Sequence, residues 1–314
     1  MELIKIKDND INKLKLDFSK MVATIGEFDG VHLAHQKLII ETKAIASSKS
    51  LYSAVITFYP HPDYIIKSRN YDGYLTTLKE KIEIFENYHI DYLFIIDFSK
   101  ELMQMPKEEF FNSYLANFSH LVVGYDFRFG YHGLGDALYL QEKLGSARLS
   151  IIDEVKCDND NKISSNLIRS YLKEGQVEQA NILLAYPYSF KGEVIKGAQI
   201  GTSLGFPTAN VEIDEEKFIP KCGVYSAKVI INNKIFNGIL NIGTNPSINL
   251  LEKPRLEVHI IDFDGDIYGA NIEIKIYHFI REEIKFSKKE ELISQIKKDQ
   301  EYCEKEFLGE KHGN

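Results

Sequence analysis

Two histidines, His32 and His35, stand three residues apart in Ala23-Thr24-Ile25-Gly26-Glu27-Phe28-Asp29-Gly30-Val31-His32-Leu33-Ala34-His35-Gln36-Lys37-Leu38. An apolar, β-type run from Met21 to Ile25 enters a turn holding Gly26 and Gly30. A helical pattern follows, with Leu33, Leu38 and Ile39 on its apolar side. Residues three apart share a helix face, and both imidazoles fall in the first turn. There the free backbone N–H groups and the positive end of the dipole favour an anion. Strand, glycine turn and a helix opening with two imidazoles suit a nucleotide phosphate. The turn is not of the Walker type, because no Gly-Lys-Ser/Thr follows the glycines. As a metal pair His-x-x-His lacks a Cys, Asp or Glu at a ligand spacing, which argues against zinc. A single histidine is more often a satisfied core or surface residue; the pair at this position favours function.

A second constellation is Gly197-Ala198-Gln199-Ile200-Gly201-Thr202-Ser203-Leu204-Gly205-Phe206-Pro207-Thr208-Ala209-Asn210, a glycine-rich loop running into a strand. Glycines let backbone approach a ligand closely. Thr208 and Asn210 flank Ala209 and so point to one side of a strand. A hydroxyl and an amide oxygen there could hold Mg²⁺ or phosphate oxygens. Taken alone, the segment is equally an ordinary hairpin connection. In Arg255-Leu256-Glu257-Val258-His259-Ile260, alternation places Glu257 and His259 opposite Leu256, Val258 and Ile260. Glu257 reads either as a solvated strand residue or as a general base, which needs a substrate hydroxyl within reach.

The elements that must position these groups divide the chain. Up to about residue 153, apolar runs (Val22–Ile25, Ser53–Phe58, Tyr92–Ile96, Leu121–Val123, Leu149–Ile152) alternate with helical stretches near 33–47, 76–88, 106–117 and 136–144. That alternation predicts a doubly wound parallel sheet with helices on both faces. Ligands of such sheets sit beyond the carboxyl ends of the strands. The Gly26–Gly30 turn, Tyr59-Pro60-His61-Pro62 and Gly124-Tyr125-Asp126-Phe127-Arg128-Phe129-Gly130 all fall at such ends. Residues 164–185 read as two helices, with Ser164-Ser165 as N-cap and Gly175 ending the first. From Tyr188 onward, period-two runs (Phe190–Ile195, Val224–Ile231, Ile235–Ile242, Leu256–Ile261, Ile272–Phe279) with turns at Asn232-Asn233 and Asp264-Gly265 predict an antiparallel barrel or sandwich. An amphipathic helix over roughly 288–307 closes the pattern. The boundary is placed near Tyr186-Pro187, giving domains 1–186 and 187–314.

Composition bounds the function class. The 314 residues suffice for two domains with real cores, and 44% hydrophobic with 27% charged residues is ordinary for a globular protein. No apolar run reaches transmembrane length, and the N-terminus lacks the apolar core of a signal peptide. The three scattered cysteines, Cys157, Cys222 and Cys303, fit a reducing cytoplasm without a disulfide framework. A net charge of −8 and no basic block make nucleic acid a poor partner candidate, and no membrane partner is expected; a local positive field still suffices for a phosphate site. The oligomeric state is open.

With both halves in view, the chain resembles the bacterial bifunctional riboflavin kinase/FMN adenylyltransferase (FAD synthetase) family. The resemblance covers essentially the whole chain. It rests on Thr24–Gln36, Thr57–Pro62, Val123–Gly130, Ile163–Arg169, Leu204–Asn210, Gly223-Val224-Tyr225 and Glu257–Gly269, in the family's order. It implies a nucleotidyltransferase-like first half that joins FMN to AMP from ATP. The second half is then a riboflavin-kinase-like antiparallel β-barrel with a terminal helix, which phosphorylates riboflavin. It implies further that His32 and His35 handle the ATP phosphates. Gly26, Phe28, Asp29, Gly30, Asp126, Ser164, Ser165 and Arg169 would contact ATP or flavin, and Gly197, Gly201, Gly205 and Pro207 would do so in the kinase half. Thr208 and Asn210 fall on the Mg²⁺/ATP positions, and Glu257 on the proposed base. The substrates are ATP, riboflavin and FMN, and FAD is the final product. The sequence departs from the family pattern at Ala34, Gly133, Asn166, Ala185-Tyr186, Thr202 and Ser247. Three readings compete: an enzyme with both activities, an enzyme with one active module, and a flavin-binding regulator without turnover. The retained His32, His35, Thr208, Asn210 and Glu257 argue against the last.

Overall fold

Apolar residues at consecutive positions of short β-branched runs demand burial on both faces, and the first half of the chain satisfies this with a parallel sheet. The computed structural model describes residues 1–7, 10–66, 71–157, 160–196, 205–243 and 255–309. The chain divides into two units, Met1–Ser165 and Asn166–Asn314.

In the first unit the strands are β1 (Glu2–Ile6), β2 (Met21–Ile25), β3 (Tyr52–Tyr59), β4 (Tyr92–Asp97), β5 (His120–Gly124) and, after the short β6 (Arg128–Phe129) and β7 (Gly135–Asp136), β8 (Leu149–Ile152). They form one sheet in the order β1-β4-β3-β2-β5-β8, every neighbour parallel. Crossovers run through α1 (Leu33–Ser48), α2 (Pro62–Ile66), α3 (Leu78–Asn87), α4 (Lys100–Met103), α5 (Lys107–Tyr114) and α6 (Ala137–Leu144). Alternate residues feed two cores. Ala23, Ile25, Ile56, Phe94 and Val123 pack on one face, and Val22, Val55, Leu93, Ile95 and Val122 on the other, under α1 and α3. This is the doubly wound sheet that the alternation predicts. The edge strand β1 lies outside the strands expected from the pattern; Glu2 and Lys5 interrupt its apolar residues, and it is mostly exposed. The strand order reverses between β2 and β5, the position where a crevice opens in such folds.

The second unit takes in α7 (Ser165–Glu174) from Asn166 onward and α8 (Val177–Leu184), with Gly175 ending the first helix. A closed antiparallel barrel follows, β10-β13-β12-β11-β14-β9, built from β9 (Ser189–Ile195), β10 (Thr208–Ile213), β11 (Gly223–Ile231), β12 (Lys234–Gly243), β13 (Arg255–Ile260) and β14 (Asn271–Arg281). Asn232 and Asn233, both at positive φ, make the two-residue β11–β12 turn. At Gly192 the barrel wall is so close that a Cβ would lie 2.0 Å from the Glu212 carbonyl oxygen. Asn181 ties α8 to the barrel: its amide donates to the Ile276 carbonyl at 2.9 Å and its oxygen accepts from the Tyr188 N–H at 2.7 Å. The final helix α9 (Lys289–Gly309) is held by Arg281, which donates to the carboxylate of Asp299, with Nη2 2.7 Å from Oδ2. Among the described residues no helix is long and apolar enough to cross a membrane.

Candidate active sites

In the first unit the turn between β2 and α1 is wound against the body of the fold. Phe28 and Val31 take positive φ without being glycine, and Gly30 joins them at φ 81°, conformations that persist only where the surroundings over-determine them. The determinants are visible. The Gly30 N–H donates to Thr76 Oγ1 at 2.9 Å, Asp29 Oδ1 accepts from the Thr76 N–H at 3.2 Å, and Ser165 Oγ donates to the Asp29 carbonyl at 2.8 Å. Phe28 is fully buried and meets Phe85 edge-on at 5.6 Å. The Asp29 and Phe28 side chains therefore build the turn.

His32 is the N-cap of α1, and the His32 and His35 rings stack at 3.7 Å, 15° apart. Nδ1 of each is buried without a hydrogen-bond partner. Burial lowers the pKa of His32 to about 4, against the pull of Asp29, and burial with the neighbouring His32 holds His35 well below its ordinary value. Both rings are neutral at physiological pH. Asp126 Oδ2 pairs closely with Lys162 Nζ. Lys162 is a cation that sequence reasoning misses; a lone lysine in a polar stretch gives no periodic signal.

Beside the turn lies a cavity of about 750 Å³. Gly26, Glu27 and Asp126 line it together with Phe58, Phe98, Leu102, Phe110, Phe127, Phe129 and Gly133. Leu102 and Phe110 come from α4 and α5 and the others from the carboxyl ends of β2, β3, β4 and β5; with Pro62 also in the lining, the three expected loop motifs meet at one crevice. Ser164 is half-buried. Arg169 belongs to the second unit, where its guanidinium lies 5.9 Å from the Phe218 ring centre.

In the second unit the barrel register sets the site. Asn210 on β10 stands opposite Glu257 on β13, and Glu257 stands opposite Asn241 on β12; Thr208 stands opposite His259. Directly opposed residues share a sheet face, so Asn210, Glu257 and Asn241 form one polar row. His259 Nδ1 is 2.9 Å from the Pro207 carbonyl, to which it donates as Nδ1–H, anchoring the start of β10. Thr208 lines two cavities of about 370 Å³ each. One holds Glu257, Asn241, Val224, Ile239, Phe286, Leu292 and the Arg281–Asp299 pair. The other is bounded by Val194, Pro207, Phe263 and the Asp264–Tyr268 turn. Gly205 precedes β10 at φ 84°. Gly197 and Gly201, with the departures Thr202 and Ser247, lie outside the described residues. The Arg281–Asp299 pair has no sequence signal, since its partners lie 18 residues apart on a strand and a helix.

A doubly wound sheet with an anion-ready turn at its switch point, followed by a small closed barrel with two chambers meeting at a hydroxyl, defines a two-module protein of the nucleotide-handling class. Residues 15–167 match the FAD synthetase family model and residues 184–307 the riboflavin kinase model. Among curated relatives, the chain is 38% identical to the bifunctional riboflavin kinase/FMN adenylyltransferase of Bacillus subtilis, over 92% of this chain and 93% of that one. It is 39% identical to that of Listeria monocytogenes, over 91% of each. A solved structure described as a macrolide-efflux protein from Streptococcus pneumoniae matches with TM-score 0.88 at 28% identity, covering 97% of this chain and 99% of that one. The chain belongs to the bifunctional riboflavin kinase/FMN adenylyltransferase family.

Proposed function

We propose that the second unit phosphorylates riboflavin to FMN and the first adenylylates FMN to FAD with release of pyrophosphate, ATP serving both. The observation that carries this reading is the pairing, in each unit, of an apolar cavity large enough for a flat ring system with a polar cluster suited to phosphates.

In the first unit the FMN phosphate oxygen bonds to the α-phosphorus of ATP as the bond to the bridging oxygen breaks. Neutral His32 and His35, the N–H groups heading α1 and Lys162 face the charge that shifts onto pyrophosphate. Preorganised donors of this kind supply most of the acceleration in such transfers. In the second unit the riboflavin 5′-hydroxyl attacks the γ-phosphorus, Glu257 takes its proton, and ADP leaves. The apolar chamber beside Glu257 takes the isoalloxazine, and the chamber beyond Thr208 takes the nucleotide. The Thr208 hydroxyl and the Asn210 amide oxygen are hard oxygen donors that fit Mg²⁺, which when bound lends positive charge to the polyphosphate. The test is to incubate purified protein with riboflavin, ATP and Mg²⁺ and separate flavins by chromatography. FMN followed by FAD supports the reading; a single product assigns one active module, and unchanged riboflavin refutes it.

A further inference from the structure

The strained turn after β2 is gripped from one side by α3. Gly30 and Asp29 are tied to Thr76, the residue before the Thr77 cap of that helix. Thr77 and Glu80 form a capping box that fixes the first turn of α3, with the Thr77 N–H 2.8 Å from Glu80 Oε2. The next residue, Lys81, is wholly buried. Its Nζ donates to the Glu27 backbone carbonyl at 3.0 Å and lies 5.7 Å from the centre of the Tyr74 ring. The same carbonyl accepts from Thr57 Oγ1 on β3 at 3.2 Å, and Thr57 is also fully buried. Taking an amine out of water is costly, and packing alone would be met by methionine without that cost. What the amine adds is the bond to Glu27.

That bond controls how the chain leaves the sheet. The Gly26 N–H continues the ladder to β3, donating to the Ile56 carbonyl at 3.1 Å. A peptide unit is planar, so pinning the Glu27 carbonyl between Lys81 and Thr57 fixes the plane from which Phe28 departs at φ 52°. Phe28, Gly30 and Val31, all at positive φ, then carry the chain to His32, the N-cap of α1. The turn is thus held at its entry by Lys81 and at its exit by Thr76, and the head of α1 with the stacked His32 and His35 follows from it. A misplacement of about 1 Å in such a site costs on the order of 10²-fold in rate. We propose that Lys81, together with Thr57, is a positioning residue for adenylyl transfer: by fixing the Glu27 carbonyl it sets the turn and the His32–His35 pair against the ATP polyphosphate. The inference deepens the adenylyl-transfer reading of the first unit and rests on it.

The experiment is FAD formation from FMN by the full chain, with kcat, KM for ATP and KM for FMN resolved for Lys81→Met, Thr57→Val and the double variant. Methionine fills the space of the lysine stem, and valine that of threonine. Lys81→Met should raise KM for ATP about tenfold and lower kcat, with KM for FMN within about twofold. A smaller folded fraction lowers kcat and leaves both KM values alone, so the split between them separates positioning from loss of structure. Thr57→Val leaves Lys81 on the carbonyl and should raise KM for ATP about threefold. The double variant orphans the carbonyl, so its rise should exceed the product of the two single rises. An unchanged KM for ATP in Lys81→Met, equal rises in both KM values, or a double variant no worse than that product overturns the proposal. FAD formation by the unsubstituted protein keeps the adenylyl-transfer reading in each of those cases. Should Lys81→Met not fold, Thr57→Val carries the test, and an unchanged KM for ATP there overturns the proposal. Failure of the unsubstituted protein to make any FAD overturns both.

Discussion

Replacing His32 by alanine separates catalysis from stability. The ring is 4% exposed and stacks on His35 at 3.7 Å, so removing it forfeits an aromatic contact of about 0.5–1.5 kcal/mol. It also removes a buried Nδ1 without a partner, a group that costs about 1–3 kcal/mol to bury. The two effects oppose, and folding stability should move by no more than about 1–2 kcal/mol. Losing one preorganised donor from the phosphate site should instead cost about 2.7–4 kcal/mol of transition-state stabilisation, a rate loss of roughly 10²–10³. The assay is initial FAD formation from FMN and ATP, with riboflavin phosphorylation measured on the same preparation. FAD formation should fall by that factor while FMN formation stays within about twofold. Equal loss of both activities, or normal FAD formation, would refute a catalytic role and leave His32 structural.

His32 also links stability to pH. With its pKa held near 4 in the folded chain against 6.5 as the ordinary value, its contribution is complete above pH 6.5 and lost as the pH falls toward 4, so thermal melts of His32→Ala should show a shallower acid decline over that range. Glu257→Gln keeps the shape of the side chain but cannot accept the hydroxyl proton; FMN formation should drop roughly 10²–10⁴-fold, with FAD formation from FMN intact in a chromatographic assay. Asp299→Asn weakens the buried pair that holds α9 beside the kinase cavity; breaking such pairs costs about 3–5 kcal/mol. Because Arg281 keeps a route to solvent and the substituted amide keeps a hydrogen bond, the loss should fall below that range, read as a lower Tm and a raised riboflavin KM. A fragment beginning at residue 166, which keeps the Asn181 contacts to the barrel, should make FMN and no FAD, whereas one beginning at 187 should be measurably less stable to heat; a folded longer fragment without kinase activity would place the catalytic division elsewhere.

The sheet and the barrel are legible because burial imposes a period. The run from Met21 to Ile25 declares a strand buried on both faces by being apolar throughout, Leu256 and Glu257 declare their faces by alternation, and the turns at Asn232-Asn233 and Gly175 declare themselves by residue type. The histidine pair is legible for the same reason: spacing sets its face, and the preceding glycines set its place at the head of α1. What stays hidden depends on contacts between distant residues. Lys81 is buried in α3 and donates to the Glu27 carbonyl, 54 residues away in sequence. Lys162 meets Asp126 from 36 residues away, and Asp299 meets Arg281 across a strand and a helix. The strand β1 is hidden because an edge position tolerates Glu2 and Lys5. Phe28 and Asp29 belong to a turn that the sequence marks as important, but whether a side chain faces a ligand or holds the turn is decided by Thr76, Phe85 and Ser165, which no local pattern announces.

Two sites in one chain carrying out successive reactions leave a distinct product pattern, which analysis of two variants tests most directly. With ATP and Mg²⁺, Glu257→Gln supplied with riboflavin should yield neither FMN nor FAD, yet should convert added FMN to FAD. His32→Ala should turn riboflavin into FMN and stop there. Complementary blocks of this kind are the expected result. If both variants lose both conversions, or if Glu257→Gln still makes FMN at the unsubstituted rate, the assignment of one reaction to each unit is wrong.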